Sequence, residues 1–133
     1  MYGKLHHPLP SATDRLATRT LDAAFKVHRT LGPGLLESVY ESCLCHELAQ
    51  QQIPWQSQVG IPIVYDGLRL ESGLRLDLLV DNTIVVELKA VEALLPLHEA
   101  QVLTYLKLSG KRLGLLINFN VPVLKSGIKR IIL

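Results

Sequence analysis

The stretch Asp77-Leu78-Leu79-Val80-Asp81-Asn82-Thr83-Ile84-Val85-Val86-Glu87-Leu88-Lys89 decides how the rest of the chain is read. Two apolar runs flank Asp81-Asn82, residue types that tolerate left-handed backbone and so favour a tight reversal. A hairpin is expected, with Thr83 to Lys89 as its second strand. If Asp81, Asn82 and Thr83 all belong to the loop, Val80 pairs with Ile84 and Asp77 lies opposite Glu87. A two-residue loop would instead put Asp77 and Glu87 on opposite faces. In the first register two carboxylates stand side by side among apolar neighbours, which is costly without a compensating cation. Glu87 and Lys89, two apart on a strand, share a face. Taken alone they read more simply as a solvent-side ion pair worth under about 1 kcal/mol.

Working outward, Arg69 to Val80 reads as the preceding strand. Leu70, Leu74, Leu76, Leu78 and Val80 occupy its even positions, and Gly73, Arg75, Asp77 and Leu79 the odd face. Before the Asp66-Gly67 turn, Val59, Ile61, Ile63 and Tyr65 alternate with smaller or polar residues, and Pro62 marks an edge strand. The amino-terminal part has helical periodicity. One helix starts after Ser11 or Thr13 and runs to Leu31, with Leu16, Leu21, Ala24, Phe25, His28 and Leu31 on one stripe. Gly32-Pro33-Gly34 stops it. A second spans about Leu35 to Gln52, with Leu36, Val39, Tyr40, Cys43, Leu44 and Leu48 as its apolar stripe. Beyond Lys89, Pro96 opens a helix that reaches Ser109 and is ended by Gly110. Leu113 to Ile117 is an apolar run expected as a central strand buried on both faces, and Ile128 to Leu133 is the last strand. The element order is ααβββαββ, an α/β sandwich in which helices flank a mixed sheet.

The bulk numbers bound the function. The 133 residues suit one domain, 13–133, after a loose amino-terminal arm, 1–12, that carries His6 and His7. A hydrophobic content of 48% and a charged content of 20% exclude a disordered chain. No apolar run is long enough to cross a bilayer and no signal peptide is evident, so a cytoplasmic location is expected, with no membrane partner. The net charge of +2 leaves room only for a local basic groove. Lys107, Lys111, Arg112, Lys125, Lys129 and Arg130 tilt the carboxy-terminal third that way. Aromatic residues are 5%, which argues against a broad base-stacking platform. Cys43 and Cys45 point about 200° apart on a helix, so they read as free thiols.

On the third helix Gln101 and Tyr105 are four apart and share a face, with His98 one turn earlier. Asp77, then Glu87-Leu88-Lys89, then Gln101-Val102-Leu103-Thr104-Tyr105 resembles the D…ExK…QxxxY series of RecB-type members of the PD-(D/E)XK nuclease superfamily. Gly34-Leu35-Leu36-Glu37-Ser38-Val39-Tyr40 looks like the eponymous motif of the GxxExxY protein family, a branch of that superfamily. The resemblance extends over nearly the whole chain beyond the first dozen residues. It implies a restriction-endonuclease-like core and a nuclease acting on DNA in preference to RNA. It further implies that Asp77, Glu87 and the carbonyl of Leu88 hold Mg²⁺ or Mn²⁺, oxygen ligands being what those ions take. Lys89 would orient the attacking water, Glu37 would complete the metal shell, and Gln101 and Tyr105 would contact that water or the nucleic-acid backbone. Residue by residue, Glu37 with Glu41 also fits a solvated helix edge, and Tyr40 and His28 read first as core. A nuclease this small could form a homodimer to cover a duplex. The other reading is a nuclease-like module, weak or inactive in catalysis, that binds nucleic acid or a protein partner.

Overall fold

The computed structural model describes residues 8–133, apart from the side chain of Ser72. Its elements are α1 (Ser11–Leu31), α2 (Glu37–Gln50), β1 (Trp55–Tyr65), β2 (Leu68–Val80), β3 (Ile84–Lys89), α3 (Pro96–Ser109), β4 (Leu113–Asn118) and β5 (Ile128–Ile132), with a 3₁₀ turn at Leu124–Gly127. The expected order is therefore realised. The amino-terminal arm, with His6 and His7, lies outside the described residues up to residue 7, while Ser11 and Ala12 already belong to α1.

One sheet holds all five strands in the order β1-β2-β3-β4-β5. Neighbours are antiparallel except β3 and β4, which run parallel because α3 carries the chain across the sheet between them. Helices α1 and α2 cover one face, where Leu78, Val80, Ile84, Val86, Leu88, Leu113, Leu115 and Ile117 join their core. On the other face α3 lays Leu106 on Leu76, Leu79 and Val85. Helix α3 sits close to β4 because Gly114 has no side chain: a Cβ there would lie 2.6 Å from Val102 Cγ1. Strand β4 is buried throughout, as its unbroken apolar run predicts.

Helix α1 buries small residues, Ala17, Ala23 and Ala24, with Thr20, Val27 and His28. Leu16, Leu21 and Phe25 flank that face, and Leu31, expected on the stripe, is exposed. On α2, Tyr40, Leu44 and Leu48 are fully buried, but Leu36 and Val39 are exposed at the start of the helix. Tyr40 is core, as its position suggests. Its ring stacks on Phe119 with centroids 4.5 Å apart, and its hydroxyl donates to the Gly32 carbonyl at 2.6 Å while accepting the Leu35 N–H at 3.1 Å. The tyrosine thereby ties down the Gly32-Pro33-Gly34 turn, whose glycines have φ of 68° and 100°. His28 is also structural, donating from Nε2 to the Val121 carbonyl at 2.8 Å.

The even–odd pattern of β2 does not persist along the strand. Leu78 and Val80 pack under α1 and α2, whereas Leu74 and Leu76 pack with Leu79 and Val85 under α3. The faces exchange at Asp77. The partner strand changes with it: Trp55 and Ser57 border a groove with α2, while Val59 and Ile61 join the α3 side. The two long strands then run on as a hairpin whose end leaves Val64, Tyr65, Leu68 and Leu70 exposed. Tyr65 and Leu70 are thus not core positions, and Ile63 is only half-buried. Pro62 lies on an edge strand, as expected, and marks a register shift between Ile61 and Ile63.

Candidate active site

The hairpin register is the one that brings the carboxylates together. Leu78 pairs with Val86, Leu79 with Val85 and Val80 with Ile84, which sets Asp77 opposite Glu87. Asp81 and Asn82 both have left-handed backbone, and the Thr83 N–H closes the turn onto the Val80 carbonyl at 2.9 Å. Thr83 is then an extra residue before Ile84, and it makes the loop three residues long rather than two.

Past Leu78 and Val86 the ladder stops, and side chains take over its hydrogen bonds. The Asp77 N–H donates to Glu87 Oε1 at 3.0 Å, and the Leu88 N–H donates to Asp77 Oδ2 at 2.9 Å. Each carboxylate therefore satisfies a main-chain donor of the opposite strand, in the gap where the strands part. The carbonyl of Leu88 lies on the same side of β3 as its N–H, toward that gap. Glu87 is only 4% exposed and Asp77 is half-buried. Burial first, then the charge of Asp77, pushes the Glu87 carboxyl up to about 8, with Lys89 opposing the rise.

Other elements converge on this pair. On α3, Tyr105 is half-buried and bonded to Gln101; burial, then the charges of Glu87 and Asp77, raise its hydroxyl. His98 does not join them, because its Nδ1 accepts the Leu95 N–H at 3.0 Å and caps α3. Glu37 opens α2, and its Oε2 accepts the Ala90 N–H at 3.4 Å, just past the end of β3. One turn on, Glu41 is half-buried and its carboxyl is raised by burial, then by Asp77 and Glu37, while a hydrogen bond from Gln58 lowers it.

Three contributors were not evident from sequence: Gln58, Glu41 as more than a helix edge, and Asn118. The last is 1% exposed, donates from Nδ2 to the Val91 carbonyl at 2.9 Å and accepts the Val91 N–H on Oδ1 at 3.1 Å. Together with the Phe119 N–H on the Lys89 carbonyl, at 2.9 Å, it pins the chain leaving β3. Its only sequence signal is a polar residue ending an apolar run. Three of the carboxy-terminal basic residues are engaged elsewhere. Lys111 reaches Asn82 at the turn end of the β2–β3 hairpin, Arg112 bonds the Leu133 and Pro8 carbonyls, and Arg130 pairs with Asp14.

The donor set is all oxygen, which suits a hard divalent cation, and a pair of carboxylates this buried accepts either a proton or a cation to offset its charge. Among the described residues no three acidic, histidine or cysteine side chains converge closely enough to hold an ion by themselves. A cation here would therefore rest on Asp77, Glu87, the Leu88 carbonyl and water.

A mixed sheet between helices, with an acidic pair where β2 and β3 part, is consistent with a nuclease-like α/β fold. The chain belongs to the PD-(D/E)XK nuclease superfamily, whose sequence profile it matches over residues 14–131. No curated protein and no solved structure matches it. Membership implies a nucleic-acid ligand, and divalent metals are general in the superfamily. No helix among the described residues is long and apolar enough to cross a membrane.

Proposed function

We propose that this protein is a metal-dependent nuclease of the GxxExxY branch, hydrolysing phosphodiester bonds in DNA in preference to RNA, with residues 13–133 as one domain. The observation that carries this reading is the reciprocal bonding of Asp77 and Glu87 across β2 and β3, with Lys89 two residues on. Asp77, Glu87 and the Leu88 carbonyl would hold Mg²⁺ or Mn²⁺, with Glu37 acting through water. The bound cation would supply Lewis-acid polarisation of the phosphodiester and a more acidic water. Lys89, on the same strand face as Glu87, would orient the attacking water and meet charge developing on the phosphate. Tyr105, oriented by Gln101, offers a hydroxyl donor to that water or to the nucleic-acid backbone.

The second reading, a nuclease-like module that binds without turnover, is favoured by one observation: among the described residues no third acidic, histidine or cysteine side chain completes a metal-holding group with the pair. Linear, circular and single-stranded DNA incubated with Mg²⁺ or Mn²⁺ separates the two. The nuclease reading expects cleavage that chelation abolishes and that Asp77→Ala or Lys89→Ala lowers by about 100-fold or more. Cleavage surviving both substitutions would sink it, and Asp77-dependent metal binding without cleavage would favour the module.

A further inference from the structure

Five non-glycine residues among those described have left-handed backbone, and four of them, Gln52, Asp66, Asp81 and Asn82, lie in turns. The fifth, Gln58, has φ 54° inside β1. A residue with a Cβ resists that conformation in a strand, so surrounding contacts must hold it. One such contact is plain: Gln58 Nε2 donates to both carboxylate oxygens of Glu41, at 3.0 and 3.2 Å.

The place of the kink is as telling as its cause. Ser57 pairs with Leu78 and Val59 with Leu76, so Gln58 faces Asp77 in the one gap between those pairs. At that level both strands exchange their faces, and β2 surrenders its ladder bond to β3 in favour of the carboxylate contacts. Glu41 follows Glu37 by one turn of α2, and its electrostatic neighbours are Asp77 and Glu37.

We infer that Gln58 is a positioning residue of the candidate site: its left-handed kink turns β1 and β2 where Asp77 leaves the ladder, and its amide fixes the Glu41 carboxylate one helical turn from Glu37. The inference rests on the nuclease reading. A glutamine suits the task because it orients Glu41 through neutral donors. A lysine or arginine at this position would bring a positive charge that competes with a metal ion for the same carboxylates. Glu41 is not among the residues that would hold the ion, so Gln58 acts one step further out, on the charge and backbone around Asp77, where outer partners alter metal affinity by about 10- to 100-fold when replaced.

The test is Mn²⁺ binding, followed by electron paramagnetic resonance, for the wild type, Asp77→Ala, Gln58→Gly and Gln58→Asn, with thermal unfolding and DNA cleavage alongside. Glycine adopts positive φ without strain but has no amide. Asparagine tolerates positive φ and keeps an amide one methylene too short for Glu41. Both variants should fold, with Gln58→Gly melting no lower than wild type. Both should bind Mn²⁺ about 10-fold more weakly, and kcat should fall while KM for DNA holds. Wild-type Mn²⁺ affinity in both variants would overturn the inference and leave the nuclease reading standing. So would a lower melting temperature with unchanged affinity of the folded protein, which would mark a purely structural role. If the wild type shows no Asp77-dependent Mn²⁺ binding, the nuclease reading and the inference fall together.

Discussion

Replacing Glu87 with glutamine should make the metal-free protein more stable at alkaline pH and leave it nearly unchanged at pH 5. Glu87 is 4% exposed, and its carboxyl is raised from 4.5 to about 8 by burial and by Asp77. The folded state thus holds a proton that the unfolded chain releases between those two values. Stability is full below pH 4.5 and is lost as the pH rises to about 8. The interval spans three and a half pH units, and at about 1.4 kcal/mol each the loss totals roughly 5 kcal/mol. Glutamine keeps the acceptor for the Asp77 N–H and presents an amide donor to the Asp77 carboxylate, as protonated Glu87 does, but it does not titrate. For a chain of this length roughly 3 °C accompanies each kcal/mol, so Glu87→Gln should melt roughly 15 °C above wild type at pH 8.5 in EDTA. Urea unfolding at half-unit intervals from pH 5 to 8.5 provides the free energies directly. Parallel pH profiles for the two proteins would refute the reasoning, because they would mean that Glu87 ionises in the folded protein as freely as in the unfolded one.

Lys89→Met should push the Glu87 carboxyl above its value of about 8, since Lys89 is the cation opposing the rise; carbon-detected NMR titration would read this, and a fall would contradict it. Tyr40→Phe keeps the stack on Phe119 but strands the Gly32 carbonyl and the Leu35 N–H. It should cost about 1–3 kcal/mol in urea unfolding, and a neutral result would show that water replaces the hydroxyl. Gly114→Ala drives a methyl to within 2.6 Å of Val102 Cγ1 and should cost about 1–3 kcal/mol, while Gly114→Ala combined with Val102→Ala should recover part of the loss.

Where local periodicity and punctuation agree, the sequence was a sufficient guide. Pro96 and Gly110 bracket α3, and the apolar run of β4 needed no tertiary information. Asp77 opposite Glu87 is one of two registers the sequence allows, and it is the one that a three-residue loop produces. What the sequence concealed depends on the third dimension. The exchange of faces at Asp77 follows from a kink at Gln58, a residue with no intrinsic taste for positive φ in a strand. Nothing in a period-two pattern signals that Leu76 and Leu78 will enter different cores. Leu36 and Val39 fit the helical stripe of α2, yet both are exposed, while Tyr40 in the same turn is fully buried. Glu41 reads as a solvated edge in sequence because the partner that holds it, Gln58, is 17 residues away.

The most direct test of the metal site is anomalous diffraction from crystals soaked in Mn²⁺ at pH 8.5. A single peak between the carboxylates of Asp77 and Glu87, within bonding distance of the Leu88 carbonyl and absent from Asp77→Ala, is the expected result. An Mn²⁺ peak elsewhere in the molecule, with none in the gap between β2 and β3, would contradict it.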